Sequence, residues 1–111
     1  MTEIKRYQED DQVIIQINGE IDASSSIELD EALRSSLDES SKVLVDCEGL
    51  SYISSAGLGV FMSYIQETKQ KEIQFVLYGM PEKVKSVFGI LGLDQLIKIE
   101  DSKDKAKEVV D

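Results

Sequence analysis

Two adjacent serines, Ser54 and Ser55, are the side chains of this 111-residue sequence that are best placed for chemistry. They lie between an apolar run at 43–45 and a second apolar run with helical spacing. A hydroxyl at the start of a helix can accept a hydrogen bond from a free backbone N–H, and that end of the helix also favours negative charge. The two serines therefore predict either a helix cap or a residue that carries a phosphate.

The composition excludes the common catalytic centres. The sequence has no histidine and one cysteine, Cys47, so it lacks a Ser-His-Asp triad and a thiolate metal cage. It also lacks a Gly-x-x-x-x-Gly-Lys phosphate loop, and the run Gly57-Leu58-Gly59 has no third glycine of a dinucleotide fingerprint. We therefore predict a protein that is not an enzyme, with no catalytic residue, no cofactor and no metal site. A small hydrolase or nucleotide-binding protein is the least favoured interpretation.

The charge balance limits the partners. Twenty-two acidic and twelve basic residues give a net charge of −10, which repels nucleic acid and anionic lipid and favours a basic partner. No apolar run reaches the roughly 20 residues of a membrane span, and residues 1–5 lack the apolar stretch of a secretion signal. We predict a cytoplasmic protein without nucleic-acid binding or direct membrane insertion. The lone Cys47 thiol is predicted to be buried.

Strands and helices alternate along the chain. Strands are predicted at 4–7, 13–17, 43–45, 73–78 and 96–99. Ser25 and Glu28 predict a capping box at the first helix, and three further helices are expected after Ser54, after Pro81 and after Ser102. This order predicts one α/β domain over 1–111, with a mixed, mainly parallel sheet, an antiparallel N-terminal edge strand and about four helices.

The helix that follows the serines has an apolar face and an unusual glycine. Leu58, Phe61, Met62 and Ile65 recur at helical spacing, which predicts that these four side chains are buried. Gly59 lies within the same helix, where glycine costs roughly 1 kcal/mol relative to alanine. Either another element of the chain or a partner is therefore expected to pack close to Gly59.

Three motifs in order resemble one family. Residues 19–22 read Gly-Glu-Ile-Asp as a turn, residues 46–53 read Asp-Cys-Glu-Gly-Leu-Ser-Tyr-Ile, and residues 54–60 read Ser-Ser-Ala-Gly-Leu-Gly-Val. Together they resemble the STAS domain of bacterial anti-sigma factor antagonists, and the likeness covers nearly the whole chain. The resemblance implies a STAS-like fold, a phosphoprotein role in transcription regulation, and signal transduction by partner switching.

The resemblance also implies site residues and partners. In such antagonists the turn usually reads Asp-Ser-Ser-Gly-Leu-Gly or Asp-Ser-Thr-Gly-Leu-Gly, and an anti-sigma factor that is a serine kinase phosphorylates the first hydroxyl. That acceptor falls on Ser55, with Ser54 as second choice because it replaces the family's aspartate. A metal-dependent protein phosphatase would reverse the modification. The implied partner-binding residues are Asp22, Ser54, Ser55, Gly57, Leu58 and Gly59, with Asp22 facing a basic residue of the kinase.

A second hypothesis follows from the missing aspartate. The chain would then be a STAS scaffold subunit of a transport or signalling complex that is never phosphorylated. In that case Ser54 and Ser55 only cap the helix.

Overall fold

The computed structural model describes residues 2–110 as one five-stranded sheet with helices on both faces. The strands are β1 (Glu3–Glu9), β2 (Gln12–Ile21), β3 (Lys42–Ile53), β4 (Gln74–Tyr78) and β5 (Lys98–Glu100). The helices are α1 (Ser25–Glu39), α2 (Ser55–Ser63), α3 (Ile65–Gln70), α4 (Glu82–Ile90) and α5 (Lys103–Val110), with a 3-10 turn at Leu93–Gln95. The strands lie in the order β1-β2-β3-β4-β5, with β1 antiparallel to β2 and the other pairs parallel. The predicted α/β fold with an antiparallel edge strand is confirmed.

The sheet has an apolar layer on each face, as expected for parallel strands. The larger layer packs beneath α1, α2 and α4 and contains Ile21, Phe61 and Phe88. The smaller layer lies under α5, where Ala106 and Val110 cover Ile14, Leu44, Val76 and Tyr78 of the sheet. Alternate residues of β2 and β3 therefore point into different layers, which holds these two strands rigidly in the middle of the molecule.

Strands β2 and β3 run further than the sequence predicted. The motif at 19–22 was expected to be a turn, but β2 continues to Ile21, and β3 continues to Ile53 instead of ending before the glycine-rich stretch. Register shifts on either side of Asn18 and Gly19 allow the extended pairing, and Gly19 has a φ of 98°, which favours glycine. Only Asp22 of the predicted turn lies outside the strand.

The predicted second helix is divided in two at Tyr64. The Tyr64 hydroxyl lies 2.5 Å from Oδ1 of Asp30, and Arg34 holds Glu67 of α3 in a bidentate ion pair with a shorter N···O distance of 2.6 Å. Arg34, followed by Lys71, lowers the pKa of Glu67 to about 2. These contacts fix α2 and α3 against α1.

One predicted core residue of α2 lies on the surface. Leu58 and Phe61 are buried, as expected, but the Met62 side chain is 51% exposed. The buried residues of α2 are Gly57, Leu58 and Phe61, so the buried side of this helix is centred away from Met62, which faces solvent. The prediction that Met62 belongs to the core is therefore wrong.

Phe61 anchors α2 to the sheet, so we expect Phe61→Ala to destabilise the fold strongly. Its ring is fully buried, 6.4 Å from the ring of Phe75 and 6.0 Å from that of Phe88. Truncation should lower the free energy of unfolding by about 3–5 kcal/mol in urea denaturation. The neighbouring Met62→Ala variant should stay within about 0.5 kcal/mol of wild type. Equal losses in the two variants would contradict this packing.

Candidate partner-binding site

The candidate site forms where β2 and β3 end side by side. Ile21 pairs with Ile53 in the last position of the parallel ladder, and the backbone N–H of Ser54 donates to the carbonyl of Ile21 at 2.8 Å. Asp22 directly follows Ile21, and Ser55 directly follows Ser54. Two helices, α1 and α2, consequently begin at the same edge of the sheet.

Ser54 is the N-cap of α2, as one of the two sequence hypotheses expected. Its backbone is extended, with φ −82° and ψ 170°, and its Oγ accepts a hydrogen bond from the N–H of Gly57 at 3.2 Å. The side chain is half-buried. The Ser54 hydroxyl is therefore engaged in holding the first turn of the helix.

Ser55 is the first residue of α2, and its side chain is exposed. Its hydroxyl makes no hydrogen bond to any other residue within 2–110. The two adjacent serines thus differ in their surroundings: one supports the helix, and the other presents a free hydroxyl to solvent. A second protein can reach the Ser55 oxygen without unfolding the helix.

Asp22 forms the capping box of α1 together with Ser25. Its Oδ1 accepts from the backbone N–H of Ser25 at 2.9 Å, and its own N–H donates to the Ser25 Oγ at 2.8 Å. The predicted box between Ser25 and Glu28 is therefore wrong, although the spacing of three residues from Asp22 to Ser25 was visible in the sequence. The bonds from Ser25, with a further one from the Ser24 hydroxyl, lower the pKa of Asp22 to about 2.

The three residues of the Gly-Leu-Gly run have different surroundings. A Cβ at Gly57 would come within 2.6 Å of Cγ2 of Ile21 and 2.8 Å of Cγ1 of Ile53, so glycine is required for α2 to approach the strand ends. Leu58 is buried in the core. Gly59 is exposed, and apart from its chain neighbours and the backbone of its own helix, no described residue lies within 4 Å of a Cβ built there. Among these three residues only Gly59 offers surface to a partner.

The described residues show neither an accessible thiol nor a cluster of metal ligands. Cys47 is buried, as predicted, and its burial raises the pKa of the thiol far above its usual range. Within residues 2–110 no group of three or more cysteine, aspartate or glutamate side chains is arranged to hold a metal ion. None of the helices in the same part of the chain has the length and apolar character needed to cross a membrane.

Comparison with known proteins identifies the family. The STAS domain family model matches residues 3–106. An anti-sigma-B factor antagonist of Listeria monocytogenes is 33% identical over 91 residues, which is 81% of this chain and 80% of the relative. The chain belongs to the STAS domain family, and the predicted resemblance is confirmed.

Solved structures share the fold. An anti-sigma factor antagonist from Mycobacterium paratuberculosis superposes with a TM-score of 0.90 at 19% identity, covering 99% of this chain and 94% of that chain. The antagonist SpoIIAA in its unphosphorylated form gives a TM-score of 0.81 at 18% identity, covering 97% and 96%. SpoIIAA of Bacillus in its phosphorylated form gives 0.75 at 17% identity, covering 98% and 100%.

The hydrogen bonds to the Asp22 carboxylate predict how the free energy of unfolding depends on pH. Because the pKa of Asp22 is about 2 in the folded chain and about 4 when unfolded, its carboxylate stabilises the fold above pH 4, and this stabilisation is lost as the pH falls towards 2. NMR titration of the Asp22 carboxyl should give a midpoint near 2. Between pH 4 and pH 2 the Asp22→Asn variant should lose less stability than wild type. A midpoint near 4 would contradict the capping geometry.

The two serines should also differ in their effect on stability. Ser54→Ala removes the cap of α2 and should lower the free energy of unfolding by about 1 kcal/mol. Ser55→Ala removes no hydrogen bond within 2–110 and should change it by less than about 0.5 kcal/mol. Urea denaturation of both variants checks this difference. An equal loss at Ser55 would mean that both hydroxyls support the helix.

Proposed function

We propose that this chain is an anti-sigma factor antagonist that binds an anti-sigma serine kinase and is released when the kinase phosphorylates Ser55. The observation that carries the proposal is the contrast between the two serines: Ser55 is exposed with a free hydroxyl, whereas Ser54 caps α2. Phosphorylation of Ser54 would break the cap, which favours Ser55 as the acceptor. The relationship to the Listeria antagonist supports the same role.

The position of Ser55 suits a modification that leaves the fold intact. A phosphate adds about −1.5 to −2 charges at neutral pH, and the free N–H groups and dipole at the start of a helix favour negative charge. The modified chain should therefore stay folded. A partner in close contact with Ser55 would instead meet a bulky, hydrated anion. A loss of about 3 kcal/mol in binding would weaken the complex roughly a hundredfold, which is enough to exchange partners.

The catalytic groups for this cycle would come from the partners. The chain has no histidine, and no basic side chain within 2–110 is bonded to the Ser55 hydroxyl, so the kinase binds the ATP and supplies the base. A metal-dependent phosphatase removes the phosphate. Asp22 follows Ile21, whose carbonyl is bonded to Ser54, and its ionised carboxylate is suited to face a cationic residue of the kinase. Under this proposal the protein acts in the cytoplasm.

The phosphorylation state of the protein in its own cells tests the proposal. Intact-mass and site-resolved mass spectrometry should find one phosphate on Ser55, and the Ser55→Ala variant should carry none. Unmodified protein under growth, starvation and stress would favour the alternative of a scaffold subunit. That alternative is motivated by Ser54, which stands where the family usually has aspartate.

Binding to the purified anti-sigma kinase of the same organism tests the switch. With no ATP added, Ser55→Asp should bind at least about tenfold more weakly than wild type, whereas Ser55→Ala should bind normally. Ser54→Asp is the matched control: it places the same charge one residue away, in a residue type that also caps helices, and should retain binding. Equal affinity of wild type and Ser55→Asp would contradict the proposal.

A further inference from the structure

A cavity of about 630 Å³ lies at the opposite end of the parallel strands from the candidate partner-binding site. Its lining includes Gln74 and Lys98, the first residues of β4 and β5. Asp22 and Ser55 instead follow the carboxyl ends of β2 and β3. Since β2, β3, β4 and β5 are all parallel, the cavity and the partner-binding site lie at opposite edges of the sheet.

The cavity exists because β5 is short. This strand pairs with β4 only from Val76 to Tyr78, so Gln74 and Phe75 have no paired residue on that side in the described part of the chain. The residues before β5 form the 3-10 turn at Leu93–Gln95 instead of extending the strand. The sheet is therefore open here, between α3, the 3-10 turn and α5.

The lining of the cavity is largely apolar and comes from both layers of the core. Phe75 and Ile97 belong to the larger layer, and Val76 belongs to the smaller one. The other apolar lining residues are partly exposed, namely Ile65, Ile73, Leu96 and Val109. Small-molecule sites in proteins typically have volumes of about 300–1,000 Å³ and mostly hydrophobic linings. The cavity therefore has the size and the lining to take an apolar chain.

Two lysines of the lining have no acidic partner. Most lysine and arginine side chains of the protein form ion pairs. Within 2–110 the exceptions are Lys69, Lys83 and Lys98, and of these Lys69 and Lys98 line the cavity. The stem of a lysine can lie along apolar surface while its ammonium group stays in water. An anionic group at the opening of the cavity would therefore find positive charge that no residue of the chain neutralises.

The remaining charge on the lining is that of Asp94. Its Oδ2 lies 3.7 Å from the position of a Cβ built at Gly89, which places this carboxylate beside the end of α4. The lining thus carries two cations, Lys69 and Lys98, and one anion. This balance favours an anionic ligand over a cationic one, in a chain whose net charge is −10.

We propose that this cavity binds a small amphipathic carboxylate, a molecule with one apolar chain and one anionic head group. Its chain would lie against the apolar lining of Phe75, Ile97 and Val109, and its carboxylate would be attracted by the ammonium groups of Lys69 and Lys98. Burial of the chain supplies affinity, and a charge-assisted hydrogen bond from a lysine orients the head group. The inference goes beyond the proposed function and does not depend on it.

Titration of the purified protein with sodium decanoate tests the site. Calorimetry should show saturable binding with a dissociation constant below about 1 mM, and amide NMR shifts should concentrate at 68–69, 73–76, 94–98 and 109. Octanoate is two methylenes shorter and should bind about tenfold more weakly. Decylamine carries the same chain on a cation and should leave these amides unshifted at the same concentration.

Lysine variants show whether the head group binds where the lining predicts. Lys69→Gln and Lys98→Gln should each weaken decanoate binding at least about threefold, and the double variant at least about tenfold. The matched control is Lys83→Gln, which removes an unpaired charge outside the cavity and should bind within about twofold of wild type. All three lysines are exposed, so the melting temperatures should stay close to that of wild type.

Three results would overturn the inference. One is the absence of saturable decanoate binding, and another is a double variant that binds within twofold of wild type. The third is a set of NMR shifts centred on the exposed Ile90 and Leu91 at the end of α4, outside the cavity. The kinase is not in the experiment, so none of these results bears on the switch at Ser55.

Discussion

The parallel pairing of β2 and β3 at their carboxyl ends is the constraint on which the site depends. Ile21 and Ile53 end the ladder together, and the bond from Ser54 to the Ile21 carbonyl joins the two chain exits. Gly57 then packs against both isoleucines with no room for a side chain. A bulkier residue at Gly57 would push α2 off the strand ends and move Ser55 with it.

The order of strands and helices could be predicted because the spacing of apolar residues and the presence of β-branched residues indicate each element without knowledge of the tertiary structure. The residues at which these elements end could not be predicted. The last part of β3 includes exposed Glu48, Ser51 and Tyr52, which show no strand pattern, and only pairing with β2 around Gly19 keeps that segment extended. Likewise, α2 ends at Ser63, where the Tyr64 N–H donates to the carbonyl of Phe61, three residues back, and the Tyr64 hydroxyl is bonded to α1.

The sequence predicted which residues belong to the candidate site but not the structural role of each residue. The sequence predicted that both serines lie at the start of a helix. Which serine caps the helix depends on the backbone angles of Ser54, whose N–H is bonded to the carbonyl of Ile21. The Asp22 carboxylate was expected to meet a partner, and it also caps α1. The exposure of Met62 could not be foreseen, since it depends on which side of α2 packs against the rest of the fold.

The net charge of the chain shows how a phosphate on Ser55 would act under the proposed function. The chain already carries −10, so two further negative charges would strengthen its long-range attraction for a basic partner. Release must therefore come from the close contact, where a hydrated dianion has to be desolvated against the partner. Such a penalty acts after the encounter and raises the dissociation rate more than it lowers the association rate. The switch is local because α2 already presents Ser55 on a rigid, capped turn.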